Sequence, residues 1–175
     1  MSSQLKIKLT QDSEYQKFRN IVRTVQSTTH IDKTLKEAEF LHASRKARSL
    51  HAHRLSPNAL QEAILNELGN RSRLVELRTL MSRQYELLVT SIETIRRHVR
   101  VRYSEDVGAL AKVQADKSRV VDQLLATPIK MKSELASAFD IMDMYIKDID
   151  SASYALRNNV DLLKMILDRR STESI

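Results

Sequence analysis

Residues 128–170, PIKMKSELASAFDIMDMYIKDIDSASYALRNNVDLLKMILDRR, repeat an apolar residue at nearly every seventh position. One row is Leu135, Met142, Ile149, Leu156 and Leu163; beside it run Phe139, Ile146, Ser153, Val160 and Leu167. These are the d and a positions of a heptad, which keep one side of a helix facing a neighbouring helix. A helix of this length spans about 60 Å at about 1.5 Å per residue, more than one small core covers. The stretch therefore predicts a helix that needs partners along its length.

The positions flanking this seam say what kind of partner. A zipper of two parallel strands would carry paired charges there, but the row Ala138, Tyr145, Ala152, Asn159 and Ile166 widens the apolar face to about three positions in seven. Ile141, Met144, Leu162 and Met165 lie further round, so the helix can touch more than one neighbour. The pattern favours a bundle over an isolated zipper. Ser153, the polar member of the a row, reads as a tolerated small residue ahead of a register-setting one.

Composition agrees with an all-α chain of long helices, an extended helical bundle or coiled coil within a hetero-oligomer. The 175 residues include two Gly, two Pro and eight aromatic residues, so turns are few. Cysteine is absent, which excludes disulfides and thiolate metal sites. No apolar run reaches the roughly 20 residues that cross a bilayer, and MSSQLKIK does not read as a secretory signal. The expected setting is a soluble, intracellular one, and Asn70-Arg71-Ser72 is accordingly not read as a glycosylation site. Residues 1–103 hold nineteen Lys/Arg against ten Asp/Glu, and residues 104–175 ten against twelve. That split of +9 and −2 predicts that an acidic partner meets the first half.

Taken in order, residues 1–12 read as a disordered lead. Residues 13–126 form a basic helical region. In it, Ser13-Glu14-Tyr15-Gln16 fits a capping box ahead of Tyr15, Phe18, Val22 and Val25, and Thr29-His30-Ile31-Asp32 offers a second cap before a run toward Leu55. Breaks are expected near 56, where Ser56-Pro57 caps a new helix, and near 69, at Gly69-Asn70. Leu74, Leu77, Met81, Tyr85, Leu88, Ile92, Ile95, Val99 and Tyr103 then advance at close to 3.6 residues per turn, and Ser104–Gly108 is a candidate interruption. Thr127-Pro128 opens the heptad helix of 127–170, and 171–175 reads as a frayed tail.

Chemistry is sparse. With Gly69 and Gly108 alone there is no phosphate-cradling loop, and one Glu39-x-x-His42 does not make a di-iron set. His51 and His53 fall on different helix faces, and Asp148 and Asp150 on the polar side of the seam. No catalytic residue, cofactor or metal is expected. Two basic clusters remain: Arg45, Lys46, Arg48 and Arg54, accompanied by His42, His51 and His53, and Arg96, Arg97, Arg100 and Arg102. Each suits phosphate, an anionic membrane or an acidic protein such as a microtubule, against the blander reading of a solvated face or of arginines paired with an acidic helix. Nothing aromatic is interleaved to stack bases, which argues against sequence-specific nucleic-acid binding.

Glu86–Val99, ELLVTSIETIRRHV, resembles a segment of a small helical subunit of augmin, the hetero-octamer that recruits microtubule nucleators to existing spindle microtubules. Glu86, Leu87, Val89, Thr90, Ile92, Glu93 and His98 carry the likeness, over fourteen residues of the chain. It implies a non-catalytic subunit of a mitotic cytoskeletal complex and carries no binding residues over. The leading expectation is a structural subunit of a multi-protein coiled-coil assembly, cytoplasmic and cytoskeletal, at the spindle or kinetochore. Its partner-helix seam would be Leu135, Phe139, Met142, Ile146, Ile149, Leu156, Val160, Leu163 and Leu167. The alternatives are a tethering subunit on endolysosomal membranes and a compact ligand-binding helical bundle.

Overall fold

The computed structural model describes residues 3–49, 56–111 and 113–172. Among them are α1 (Ser3–Gln11), α2 (Ser13–Thr28), α3 (Ile31–Ala43), a 3-10 turn at Lys46–Ser49, α4 (Pro57–Arg102), α5 (Ser104–Leu110), α6 (Gln114–Leu124) and α7 (Ala126–Thr172). The fold is an all-α helical bundle with no strand among the described residues.

Local chemistry sets the boundaries. The lead expected to be disordered is helical instead, because Leu5 and Leu9 sit one turn apart and both are buried. Asp12 ends α1 and caps α2: its carboxylate accepts from the N–H groups of Glu14 and Tyr15 at 2.9 and 3.0 Å, in place of a cap at Ser13. Ser56 Oγ accepts from the N–H of Ala59 at 3.2 Å, and Pro57 follows where its missing N–H costs nothing. The break expected at Gly69-Asn70 does not occur. α4 runs through it, since Glu67, Asn70 and Leu74 all face inward across the glycine and Asn70 donates to the carbonyl of Leu41. The candidate interruption at Ser104–Gly108 is a helix, α5, set off from α4 at Tyr103. Pro128 lies in the first turn of α7, where no intrahelical donor is lost.

The chain divides into two compact units. The first comprises residues 1–31 and 80–138. Lys8 of α1 pairs with Asp106 of α5 and Asp12 with His98 of α4, while Arg96 pairs with Asp122 and Arg100 with Ser118, so α6 runs antiparallel to this part of α4. Its core includes Leu5, Leu9, Phe18, Leu88, Ile92, Val121, Leu125 and Leu135.

The second unit comprises residues 32–79 and 139–175. Here Arg73 pairs with Glu37 of α3, and Arg71 and Arg78 pair with Asp150 and Asp143 of α7, again antiparallel on both sides of α4. Leu60, Ala63 and Leu156 form a core cluster, with Ala47, Ile64, Val160 and Leu163 packed on it.

This packing corrects the expectation that the seam awaits helices of other proteins. Leu135 is buried within the first unit, and Met142, Ile149 and Leu156 within the second. Phe139, Ile146, Val160 and Leu163 are half-buried, Phe139 beneath the guanidinium of Arg78 at 5.5 Å from its ring centre. Ser153, also buried, leaves its hydroxyl without a hydrogen-bond partner among the described residues. The Leu167 side chain lies outside the described residues.

Candidate functional site

The first basic cluster is turned inward. α3 ends at Ala43, and Arg45, just past it, points its guanidinium between α4 and α7. Nε donates to Glu67 Oε2 at 2.7 Å, Nη1 to Asp148 Oδ2 at 2.6 Å and Nη2 to the Asp148 carbonyl at 3.3 Å. The side chains of Arg45 and Glu67 are 3% and 0% exposed. Asp148 also bonds His42 Nε2 at 2.7 Å, and the His42 ring stacks on Tyr145 with centres 4.2 Å apart. The hydrogen bond from His42, with those of Arg45, holds the Asp148 carboxyl below its ordinary range against the opposing effect of burial. Lys46 pairs with Glu62, and its N–H donates to Asn66. Glu39 is exposed and takes no part. Arg54, His51, His53 and the Arg48 side chain fall outside the described residues.

A second polar clasp closes the first unit. Asp12, its side chain fully buried, accepts from His98 Nε2 at 3.0 Å and from Tyr103 Oη at 2.8 Å in addition to the two N–H groups of its own helix. An ionised carboxylate only accepts, so Nε2 of His98 must carry the proton. Arg102 Nε stands 3.5 Å away. Burial works against the charge, but the bonds from Tyr15 N–H, His98 and Tyr103 outweigh it and hold the carboxyl well below the carboxylate range. The Tyr103 hydroxyl is pushed up, by burial first and then by its bond to Asp12. Asp12 ends α1 and Tyr103 ends α4, so this clasp ties two helix breaks together.

The second basic cluster is only partly spent on internal pairs. Arg96 bonds Asp122 at 2.9 Å and Arg100 bonds Ser118 at 3.2 Å. Arg97 is exposed beside them, on an open groove of about 480 Å³ lined by Glu93, Arg96, Arg97, Arg100 and Val101. By unit, the charge falls differently from the halves of the sequence. The first unit has fifteen Lys/Arg against nine Asp/Glu, the second fourteen against thirteen, giving +6 and +1. Three arginines of the basic half, Arg45, Arg71 and Arg78, pair with carboxylates of the chain's own α7.

Sequence reasoning missed Asp12, Glu67 and Tyr103 as clasp residues. Glu67 did carry a signal, because it falls in the inward row Leu60, Ala63, Glu67, Asn70, Leu74 at helical spacing. A charged residue in such a row needs a partner, and Arg45 is it. Among the described residues no group of three or more His, Asp or Glu could hold a metal ion.

α4 also carries exposed large apolar side chains. Leu65, Leu68 and Val75 are exposed in the second unit, and Leu80, Leu87 and Val101 in the first. In the second unit α7 does the same with Met144, Tyr154, Leu162, Met165 and Ile166. Where α4 begins, an open groove of about 370 Å³ lies between Leu60, Ile64 and Leu65 on one side and Val160, Leu163 and Lys164 on the other. No described helix is long and apolar enough to cross a membrane. Comparison of the chain with protein-family models, with curated proteins and with solved structures returned no match.

Proposed function

We propose that this chain is a non-enzymatic structural subunit of a multi-protein helical assembly, working by presenting helix faces to other proteins. The observation that carries this reading is the outer face of α4, where Leu65, Leu68 and Val75 stand exposed on the side away from the buried row Leu60, Ala63, Leu74 and Leu77. Exposed large apolar side chains grouped on one helix are the surface on which another protein docks. The buried charges serve differently: Arg45 bonds Glu67 within the second unit, and Tyr103 bonds Asp12 within the first. A cytoskeletal setting, at the spindle or kinetochore, is supported by the likeness of Glu86–Val99 to an augmin subunit and by the +6 charge of the first unit, which suits an acidic surface such as a microtubule.

The test is affinity purification of the intact chain beside a Leu65→Asp/Leu68→Asp variant, with the captured proteins identified by mass spectrometry. Both changed side chains are exposed, so the variant keeps its helicity and melting temperature. Expected is a fixed set of partners in near-equal amount with the parent chain and their loss with the variant. An identical set from both, or no partner from either, would overturn the proposal. Microtubule co-sedimentation then tests the cytoskeletal setting.

A further inference from the structure

Away from both clasps, α1, α2 and α6 border an open pocket of about 360 Å³ within the first unit. Lys6 and Leu9 of α1, Tyr15 and Arg19 of α2, and Gln123 and Leu124 of α6 line it. Lys6 and Arg19 are exposed and make no ion pair among the described residues. Their neighbours in sequence do: Lys8 pairs with Asp106 and Lys17 with Glu14, both at 2.7 Å. The carboxylates nearest the pocket in sequence are engaged elsewhere, Asp12 with His98 and Tyr103, Glu14 with Lys17, and Asp122 with Arg96. No acidic side chain lines the pocket, so among the described residues nothing answers its two cations. The Tyr15 hydroxyl and the Gln123 amide likewise have no hydrogen-bond partner among the described residues. Burial pushes the half-buried Tyr15 hydroxyl up, and the positive charge of Arg19 acts the other way, which sets the guanidinium near the phenol. The phenol stays protonated at neutral pH and can donate.

We propose that this pocket binds the phosphate group of a monoester, carried by a soluble molecule or by a lipid head group. Arg19 supplies the planar fork that matches two phosphate oxygens, Lys6 adds a second positive charge, and Tyr15 and Gln123 donate to the remaining oxygens. Two cations suit a phosphate dianion better than a carboxylate, whose single charge would leave one of them unanswered. Leu9 and Leu124 give the esterified group an apolar wall to rest on. The site needs no protein partner, and therefore stands or falls separately from the assembly proposed above.

Titration of the full chain with phenyl phosphate, followed through its backbone amide signals by nuclear magnetic resonance, tests it. Expected is saturable binding with a Kd of about 1 mM or below, the largest shifts falling at Lys6, Tyr15, Arg19 and Gln123. Lys6→Glu/Arg19→Glu should weaken it about tenfold or more while helicity is kept, because both positions are exposed. Arg83→Glu/Lys130→Glu, the same change of charge at exposed positions of the same unit outside the pocket, should leave it within about twofold. Tyr15→Phe, which removes one neutral donor, should weaken it about threefold. A phosphate monoester takes up its second proton near about pH 6, so affinity should fall between about pH 8 and pH 5, and at the higher pH benzoate should bind about tenfold more weakly. Vesicles of phosphatidylcholine with and without phosphatidic acid separate the two sources. Flotation that requires phosphatidic acid and is lost in Lys6→Glu/Arg19→Glu assigns a lipid head group; binding of phenyl phosphate without flotation assigns a soluble ester. No saturable shift with phenyl phosphate, equal losses in the two charge-reversed variants, or benzoate bound as tightly as phenyl phosphate would overturn the proposal.

Discussion

Asp12 ties four groups of the first unit to one carboxylate. Its buried carboxylate satisfies two helix N–H groups, an imidazole and a phenol, and removing the charge would leave the buried Tyr103 hydroxyl and three part-buried donors without this acceptor. Asp12→Ala should therefore cost about 2–4 kcal/mol, as the loss of a helix cap plus buried donors without an acceptor. The pH dependence follows from the direction of its shift. A carboxyl held below its unfolded value binds fewer protons folded than unfolded, so its stabilisation is complete above the ordinary carboxylate range and is lost as pH falls below it. Asp148, lowered by His42 and Arg45, contributes with the same sign. Thermal melts of the parent chain should decline steeply on acidification below about pH 4, and Asp12→Asn should start lower at neutral pH and decline less. Parallel melting curves for the two proteins from pH 7 to pH 2 would refute this.

At the scale of elements, the heptad stretch was legible as a helix because its period is written in side chains that end up buried. What covers it was not legible, since a seam looks the same from inside whether its partner lies in the same chain or another. Leu60 and Ala63, which meet Leu156, stand about a hundred residues away with nothing local to link them. Gly69 misled for a related reason: glycine is a common stop, but the inward residues on either side of it hold α4 straight, a tertiary effect overriding a local preference. The N-terminal lead was too short to show a period, although Leu5 and Leu9 already carried one turn of it. Two predictions belong here. Gly69 is helical without positive φ and has open space where a Cβ would go, so Gly69→Ala should stabilise by about 0.5–1 kcal/mol, read as a higher melting temperature. Ile149→Asp/Leu156→Asp places two carboxylates where the side chains are 0% and 4% exposed, and should unfold the second unit of the isolated chain outright, with loss of helical circular dichroism. Had the seam belonged to another protein, the same double change would leave the isolated chain folded.

Across the molecule, charge and packing are sorted by unit. In the second unit the arginines of α4 are matched against the carboxylates of α7, Arg71 with Asp150 and Arg78 with Asp143, and the net charge is close to zero. In the first unit acidic residues are too few to do this, and Arg97 and Arg100 remain near an open groove with an excess of +6 around them. Long-range attraction to an acidic surface should therefore act on the first unit and be screened by salt. If the chain meets microtubules, as proposed, co-sedimentation should fall steeply between low and physiological ionic strength, and Arg97→Glu/Arg100→Glu should weaken it about tenfold or more. Lys33→Glu/Lys36→Glu changes the net charge by the same amount, but on exposed positions of the second unit, and should have little effect. Equal losses in the two variants would mean that binding answers to total charge alone, and that the arginines beside the groove hold no privileged place in it.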